Sequence, residues 1–258
     1  MAASLAARSG FQALYLSGAG VANASYGVPD VGLTTLAEGR MCGGFTGVSR
    51  LPLLVDADTG WGNPGKAARE LCRSGAAGMH LEDQVEAKKC GHLAGKRLVS
   101  AAEMARRIRA AVRGRSDAGF VIMARTDAVA SEGLAAGIER ACRYRDAGAD
   151  MIFAEALTEL DDYRRFVEAV KVPVLANITE FGKTPLFSVK ELASAGVGLA
   201  LYPLSAFRAM NAAALRVYRA IRERGTQRGV LRMMQTRAEL YELLGYDVSA
   251  TKRVTKVR

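Results

Sequence analysis

Two aspartates stand two residues apart in "LPLLVDADTGWG" (residues 51–62), and a glutamate lies near the end of "GMHLEDQ" (78–84). Positions i and i+2 of a strand face the same way, so Asp56 and Asp58 present their carboxylates together. With Glu82 on the next strand they make an oxygen-rich cluster suited to Mg²⁺, which takes one or two carboxylates along with waters and substrate oxygens. The "TGWG" that follows allows close backbone approach at the strand end. A second chemical signal is "VEAKKCGHLAGK" (85–96), in which Cys90 lies between Lys88 and His92 with Gly91 and Gly95 close by. Structural cysteines normally sit among aliphatic side chains and are inert, whereas cationic neighbours favour the thiolate. The plainer reading of this window is a solvated basic loop. His80 and His92 are the only histidines, which excludes a histidine-rich zinc or iron centre. His80, inside an apolar run, reads as a core residue.

The elements that must hold these groups repeat along the chain. Seven segments rich in Val, Ile, Leu and Met each end on a polar residue: 13–18, 51–58, 78–84, 120–127, 151–156, 172–179 and 197–205. Apolar runs of this length read as buried parallel strands. Helical patterns separate most of them, and "RSGFQ", "RSGAAGM", "DAGADM" and "SAGVGL" place a glycine helix stop before a tight turn into the next strand. The repeat argues for a (β/α)8 TIM-type barrel over an open sheet, and no GxGxxG follows the first strand. In such a barrel chemistry gathers at the C-terminal strand ends. The polar endings Ser17, Asp56, Asp58, Glu82, Asp83, Arg125, Asp127, Glu155, Asn177 and Thr179 are therefore expected around one opening.

Bulk properties narrow the class. Thirty-six Lys and Arg against 26 Asp and Glu give a formal net charge of +10, but the basic residues are spread over helix-like segments with acids between them, and no nucleic-acid reader motif is present. An anionic small-molecule substrate fits this charge; a nucleic-acid partner is not expected. The four cysteines show no CxxC pair, so neither a disulfide framework nor a zinc site is indicated. No run approaches 18 uncharged apolar residues, and the first residues lack a signal-peptide pattern; a soluble, cytoplasmic protein without membrane contact is expected. Residues 1–246 read as one barrel domain, followed by a basic tail at 247–258, "DVSATKRVTKVR".

Taken together, "YLSGAGVA", "GVPDVGL", "LPLLVDADTGWG", "GMHLEDQ", "KKCGH", "VIMARTDA", "LANITEFG", "ALYPLSAFRAMN" and "MQTRAELYE" resemble the isocitrate lyase and phosphoenolpyruvate mutase superfamily. "KKCGH" separates its lyases from the mutases and phosphonate hydrolases that lack the cysteine, and "NITEFG" and "PLSAFRAMN" favour the methylisocitrate branch. The resemblance implies Mg²⁺-dependent cleavage of 2-methylisocitrate, a tricarboxylate, to succinate and pyruvate in the methylcitrate route of propionate breakdown. It implies that Asp56 and Asp58 hold the metal, with Asp30 (through water) and Glu82 supporting it. Ser17, Gly18 and Ala19 match the first substrate loop, although Ala19 stands where glycine is usual. Gly91, Arg125, Glu155, Asn177, Ile178, Thr179, Arg208 and Arg237 match substrate-binding positions. Cys90 matches the catalytic acid, with Lys88, His92 and Glu82 in the catalytic set. Relatives are implied to be homotetramers that exchange C-terminal helices.

The same resemblance shows departures. A leading strand-helix unit of roughly 30 residues is expected before position 1 and is absent, leaving a barrel without its first unit. "EGRMCGGFTGVSR" (38–50) stands where an amphipathic helix belongs, and its glycines each cost about 1 kcal/mol in a helix interior. Alternative readings are a lyase for isocitrate or a 2,3-dimethylmalate-type substrate, or an inactive truncated barrel that serves as a structural subunit.

Overall fold

The computed structural model describes residues 1–30, 35–39, 42–85 and 96–246. Lys88, Cys90, Gly91, His92 and the basic tail lie outside these residues. The described residues form two compact units, residues 12–205 and residues 1–11 with 206–246.

The larger unit holds seven strands: β1 (Leu14–Leu16), β2 (Leu53–Asp56), β3 (Gly78–Glu82), β4 (Val121–Thr126), β5 (Met151–Ala154), β6 (Val174–Asn177) and β7 (Leu199–Leu201). All six neighbouring pairs are parallel and follow chain order. The strands curl into a nearly closed barrel, the arrangement expected of a (β/α)8 fold without its first strand-helix unit, and each lies within the apolar segment that suggested it.

Alternation along the strands divides the core in two. Met123, Phe153 and Leu175 pack inside the barrel with Leu54, Val121, Met151, Leu199 and Leu201. The opposite faces, with Val55, Leu81, Ile122, Ile152 and Val174 among them, join the helices in a larger outer core. The parity of the inner set runs on into Tyr15, Asp56, His80, Glu82, Arg125, Glu155 and Asn177, so the same alternation that fills the barrel also aims the polar strand ends at its mouth.

Local signals fix the helices. Asn63 Oδ1 accepts the Lys66 N–H at 2.9 Å and starts the helix Pro64–Arg73 with proline in its first turn, where the missing N–H costs nothing. Ser100 caps Ala101–Gly114 through the Glu103 N–H. Ser188 and Glu191 form a capping box on Val189–Ser194. Gly65 and Gly114 let two of these helices touch through their backbones; a Cβ on Gly114 would lie 2.1 Å from the Gly65 carbonyl oxygen. Among the described residues between β1 and β2, the glycine-rich stretch yields short helices, Leu36–Gly39 and Cys42–Thr46, consistent with its poor helix propensity.

In the smaller unit the helix Arg237–Leu243 begins at a Thr236–Glu239 capping box, and Arg8 pairs with Glu242. Among the described residues no helix is long and apolar enough to cross a membrane.

Candidate active site

Beginning at β1, Ser17 Oγ caps the short helix Gly18–Val21 by accepting the Gly20 N–H at 3.2 Å. That turn brings the Gly18 N–H to Asp56 Oδ2 at 3.0 Å. The other oxygen of Asp56 accepts the Asp58 N–H at 3.1 Å, and both carboxylates are nearly buried. A Cβ built on Gly18 would lie 3.1 Å from Asp56 Oδ2 and 3.5 Å from Asp58 Oδ1. The two carboxylates thus face one small space beside Gly18, which an added Cβ would crowd. After them the backbone turns through left-handed conformations at Asp58, Gly60, Trp61 and Gly62 (φ 50, 97, 48 and 73°), which is the close approach expected of "TGWG".

Beneath the pair lies His80, fully buried as its apolar setting suggested. Its Nε2 is 3.3 Å from Asp56 Oδ1 and 2.8 Å from the Tyr15 hydroxyl oxygen. Its ring stacks on Tyr15 and meets Phe153 edge-on. Tyr15 escaped the sequence reading because it stands inside an apolar strand; its signal is the parity it shares with Ser17.

Across β3 to β6 the contacts are charged. Arg125 donates through Nε and Nη2 to Asp127 at 2.9 and 3.0 Å, pairs with Glu155 at 3.0 Å and with Glu82 at 3.4 Å, and lies 5.0 Å over the Phe153 ring. Burial opposes its charge, but Asp127, Glu155 and Glu82 outweigh that penalty and hold the guanidinium firmly protonated. Burial likewise works against the charge of Asp127, yet Arg125 and then Lys96 push its pKa down to about 2. Glu155 also accepts from Asn177 Nδ2 at 3.3 Å and from the Ala156 N–H at 3.0 Å. Asp56 through Asn177 therefore make one arc of buried polar side chains along five strand ends.

Some expected residues fall elsewhere. Asp83 points the other way: it accepts from the Thr126 hydroxyl and the Tyr144 hydroxyl, both at 2.8 Å, and from the Asp127 N–H. It follows Glu82 directly, so strand alternation turns it into the outer core, where burial raises its pKa. Ile178 packs in that outer core and spends its N–H on the Leu201 carbonyl. Thr179 is buried after β6, and Ala19 and Asp30 are half-buried after β1. Arg208 and Arg237 belong to the smaller unit. Lys96, 31 residues from Asp127 and bonded to it at 2.6 Å, carried no sequence signal.

Among the described residues no three His, Cys, Asp or Glu side chains gather into a metal-ligand set. The Asp56–Asp58 cradle offers two hard oxygen donors, which fits an ion that keeps several waters and suits neither a thiophilic nor an imidazole-preferring metal.

The phosphoenolpyruvate phosphomutase family model matches residues 1–222. The chain belongs to this family. A 2-methylisocitrate lyase of Shewanella oneidensis is 59% identical over 252 residues, 96% of this chain and 86% of that protein. Among solved structures, a 2,3-dimethylmalate lyase has TM-score 0.88 at 34% identity, covering 98% of this chain and 85% of its own. An oxaloacetate acetylhydrolase complexed with 3,3-difluorooxalacetate also reaches TM-score 0.88, at 33% identity over 98% of this chain and 86% of its own. Members of the family are metal-dependent, in keeping with the carboxylate cradle.

Proposed function

We propose that this chain is a carbon–carbon lyase that cleaves 2-methylisocitrate to succinate and pyruvate in the methylcitrate route of propionate breakdown. The observation that carries this reading is the Asp56–Asp58 cradle at Gly18 in the same ring of strand ends as the buried cation Arg125, in a chain 59% identical to a 2-methylisocitrate lyase. Among the described residues around Arg125 and Lys96, the carboxylates Asp127, Glu155 and Glu82, with Asp56 and Asp58 nearby, leave an excess of negative charge. A tricarboxylate would be repelled there without a compensating cation. Mg²⁺ is our choice from the hardness and number of the donors, with Glu82 and Asp30 supporting it; when bound it supplies Lewis acidity toward an α-hydroxy acid.

In this reading Ser17, Gly18 and Ala19 seat one substrate carboxylate, and Arg125 meets another with a charge that its acidic neighbours keep in place. Glu155, Asn177, Thr179 and Gly91 orient the hydroxyl and remaining oxygens, and the family resemblance adds Arg208 and Arg237 to the substrate set. Transfer of the hydroxyl proton to a carboxylate at the barrel mouth turns that carbon into the carbonyl of pyruvate as the carbon–carbon electron pair departs on the succinate fragment. Cys90 delivers the proton that completes succinate, and Lys88 and His92 favour the thiolate left behind.

Pyruvate release from 2-methylisocitrate, with and without Mg²⁺, tests the proposal with wild type beside Cys90→Ser. Metal-dependent turnover that collapses in the variant is expected; no turnover from folded wild type would remove the activity claim. Isocitrate and 2,3-dimethylmalate belong in the same assay, since one methyl group is worth only about 1–3 kcal/mol of discrimination.

We further place the enzyme in the cytoplasm as a homotetramer. Cys42, Cys72 and Cys142 are all free thiols, which suits a reducing compartment. Met210, Leu215, Tyr218 and Ile221 expose apolar surface on one helix, of the kind that self-association covers.

A further inference from the structure

We infer that Lys96 is a positioning residue, which through Asp127 fixes both the Arg125 guanidinium and the exit of the chain segment that carries Cys90. Lys96 and Asp127 form an ion pair with side chains only 3% and 0% exposed. The same carboxylate takes two hydrogen bonds from Arg125, so one anion joins two buried cations. Asp127 itself is held from behind, because its N–H donates to Asp83, which also accepts from Thr126 and Tyr144. A side chain so anchored has little freedom to follow either cation.

The chain around Lys96 is pinned as well. The Val85 N–H donates to the Arg97 carbonyl at 3.0 Å, the Val99 N–H donates to the Asp83 carbonyl at 2.9 Å, and Gln84 bridges Leu98 in antiparallel fashion. Gln84 also donates from its side chain to Glu82 at 3.1 Å. These contacts make a short stem of residues 83–85 against 97–99, and Lys96 stands at its start. Through one carboxylate the lysine therefore ties this stem to the arginine proposed to hold substrate.

Stability alone is a poor reason to bury such a group. Desolvating an ammonium commonly costs as much as its pairing returns, and apolar replacements of buried ion pairs are often tolerated. What an ion pair adds over an apolar contact is direction: Nζ must stay within hydrogen-bond reach of one oxygen.

The inference rests on the lyase reading for its kinetic arm only. The experiment compares wild type, Lys96→Met and Lys96→Arg for kcat and KM with 2-methylisocitrate, for thermal midpoint, and for the rate at which iodoacetamide alkylates Cys90, resolved by peptide mass. A misplaced reacting group costs on the order of tenfold to a hundredfold. We expect Lys96→Met to lose kcat on that scale and to change the Cys90 alkylation rate while Cys72 and Cys142 react as before, and Lys96→Arg to recover most of both. Wild-type kcat and wild-type Cys90 reactivity in Lys96→Met, whatever its thermal midpoint, would reduce the pair to a structural contact and overturn the inference. If Lys96→Met does not fold, Lys96→Gln carries the same comparison. Should wild type not cleave 2-methylisocitrate, the functional reading fails, while the alkylation arm still decides the role of Lys96.

Discussion

At the end of the barrel where strands begin, left-handed backbone belongs mostly to glycine; at the end where strands finish, glycines such as Gly60 and Gly62 share it with five residues that carry side chains. Gly75, Gly148 and Gly196 (φ 87, 105 and 80°) close the helices that lead into β3, β5 and β7. Asp58 and Trp61 follow β2, Ala156 follows β5, Phe181 follows β6 and Leu204 follows β7, all between φ 48 and 62°. Lys171 is the exception at the first end. Glycine adopts this region freely, while any Cβ costs roughly 1–2 kcal/mol. One rim is built at the lowest backbone cost, and the other retains strain where buried carboxylates and Arg125 are gathered. The difference teaches which end has been shaped by chemistry.

The largest test of this contrast is Asp58→Gly. It removes half of the carboxylate cradle and should lower kcat by on the order of a thousandfold, since metal-type charge stabilisation is worth several kcal/mol. Folding stability should rise by about 1 kcal/mol, because glycine accepts the left-handed backbone and a buried charge beside Asp56 is gone. Urea unfolding beside the pyruvate assay measures both; a variant less stable than wild type would remove strain from the argument.

An intermediate effect is expected from Asp127→Asn. The Asp127 pKa is about 2 in the folded chain, below its ordinary 3.8. A depressed carboxylate stabilises the fold above the unfolded pKa and loses that contribution as pH falls toward the folded one. Between pH 4 and pH 2 wild type should therefore lose about 2 kcal/mol more stability than the variant. Parallel acid dependences in urea titrations would show that the charge network contributes nothing to folding.

The smallest effect belongs to the opposite rim. Gly148→Ala forces a Cβ into the left-handed region, 3.2 Å from Val112 Cγ2, and should cost about 1–2 kcal/mol. Its kcat at 25 °C should match wild type. A drop in kcat with unchanged stability would break the division of labour between the rims.

Much of this division could be read in the amino-acid order. Continuous apolar runs identified all seven strands, and the glycine of each "SG" or "AG" signal before β3, β5 and β7 occupies the left-handed position that a helix stop requires. The spacing of Asp56 and Asp58 placed both carboxylates on one face because the side-chain period of a strand is local. What escaped was the choice between adjacent acids: Glu82 faces the barrel mouth and Asp83 the outer core, which the parity of His80 could have settled.

Other features required the folded chain. Tyr15 reaches His80 across 65 residues and Lys96 reaches Asp127 across 31; no local pattern encodes such pairs, since they depend on strand register and on how the chain crosses the rim. The depressed pKa of Asp127 likewise arises only when folding brings two cations to one carboxylate, against the effect of burial. The sequence by itself determined the strand-and-helix repeat, the glycine turns and the residue types at the barrel mouth, because period and backbone preference act over a few positions. Tertiary structure alone decided which of those side chains meet, because charge, desolvation and close packing act between neighbours in space.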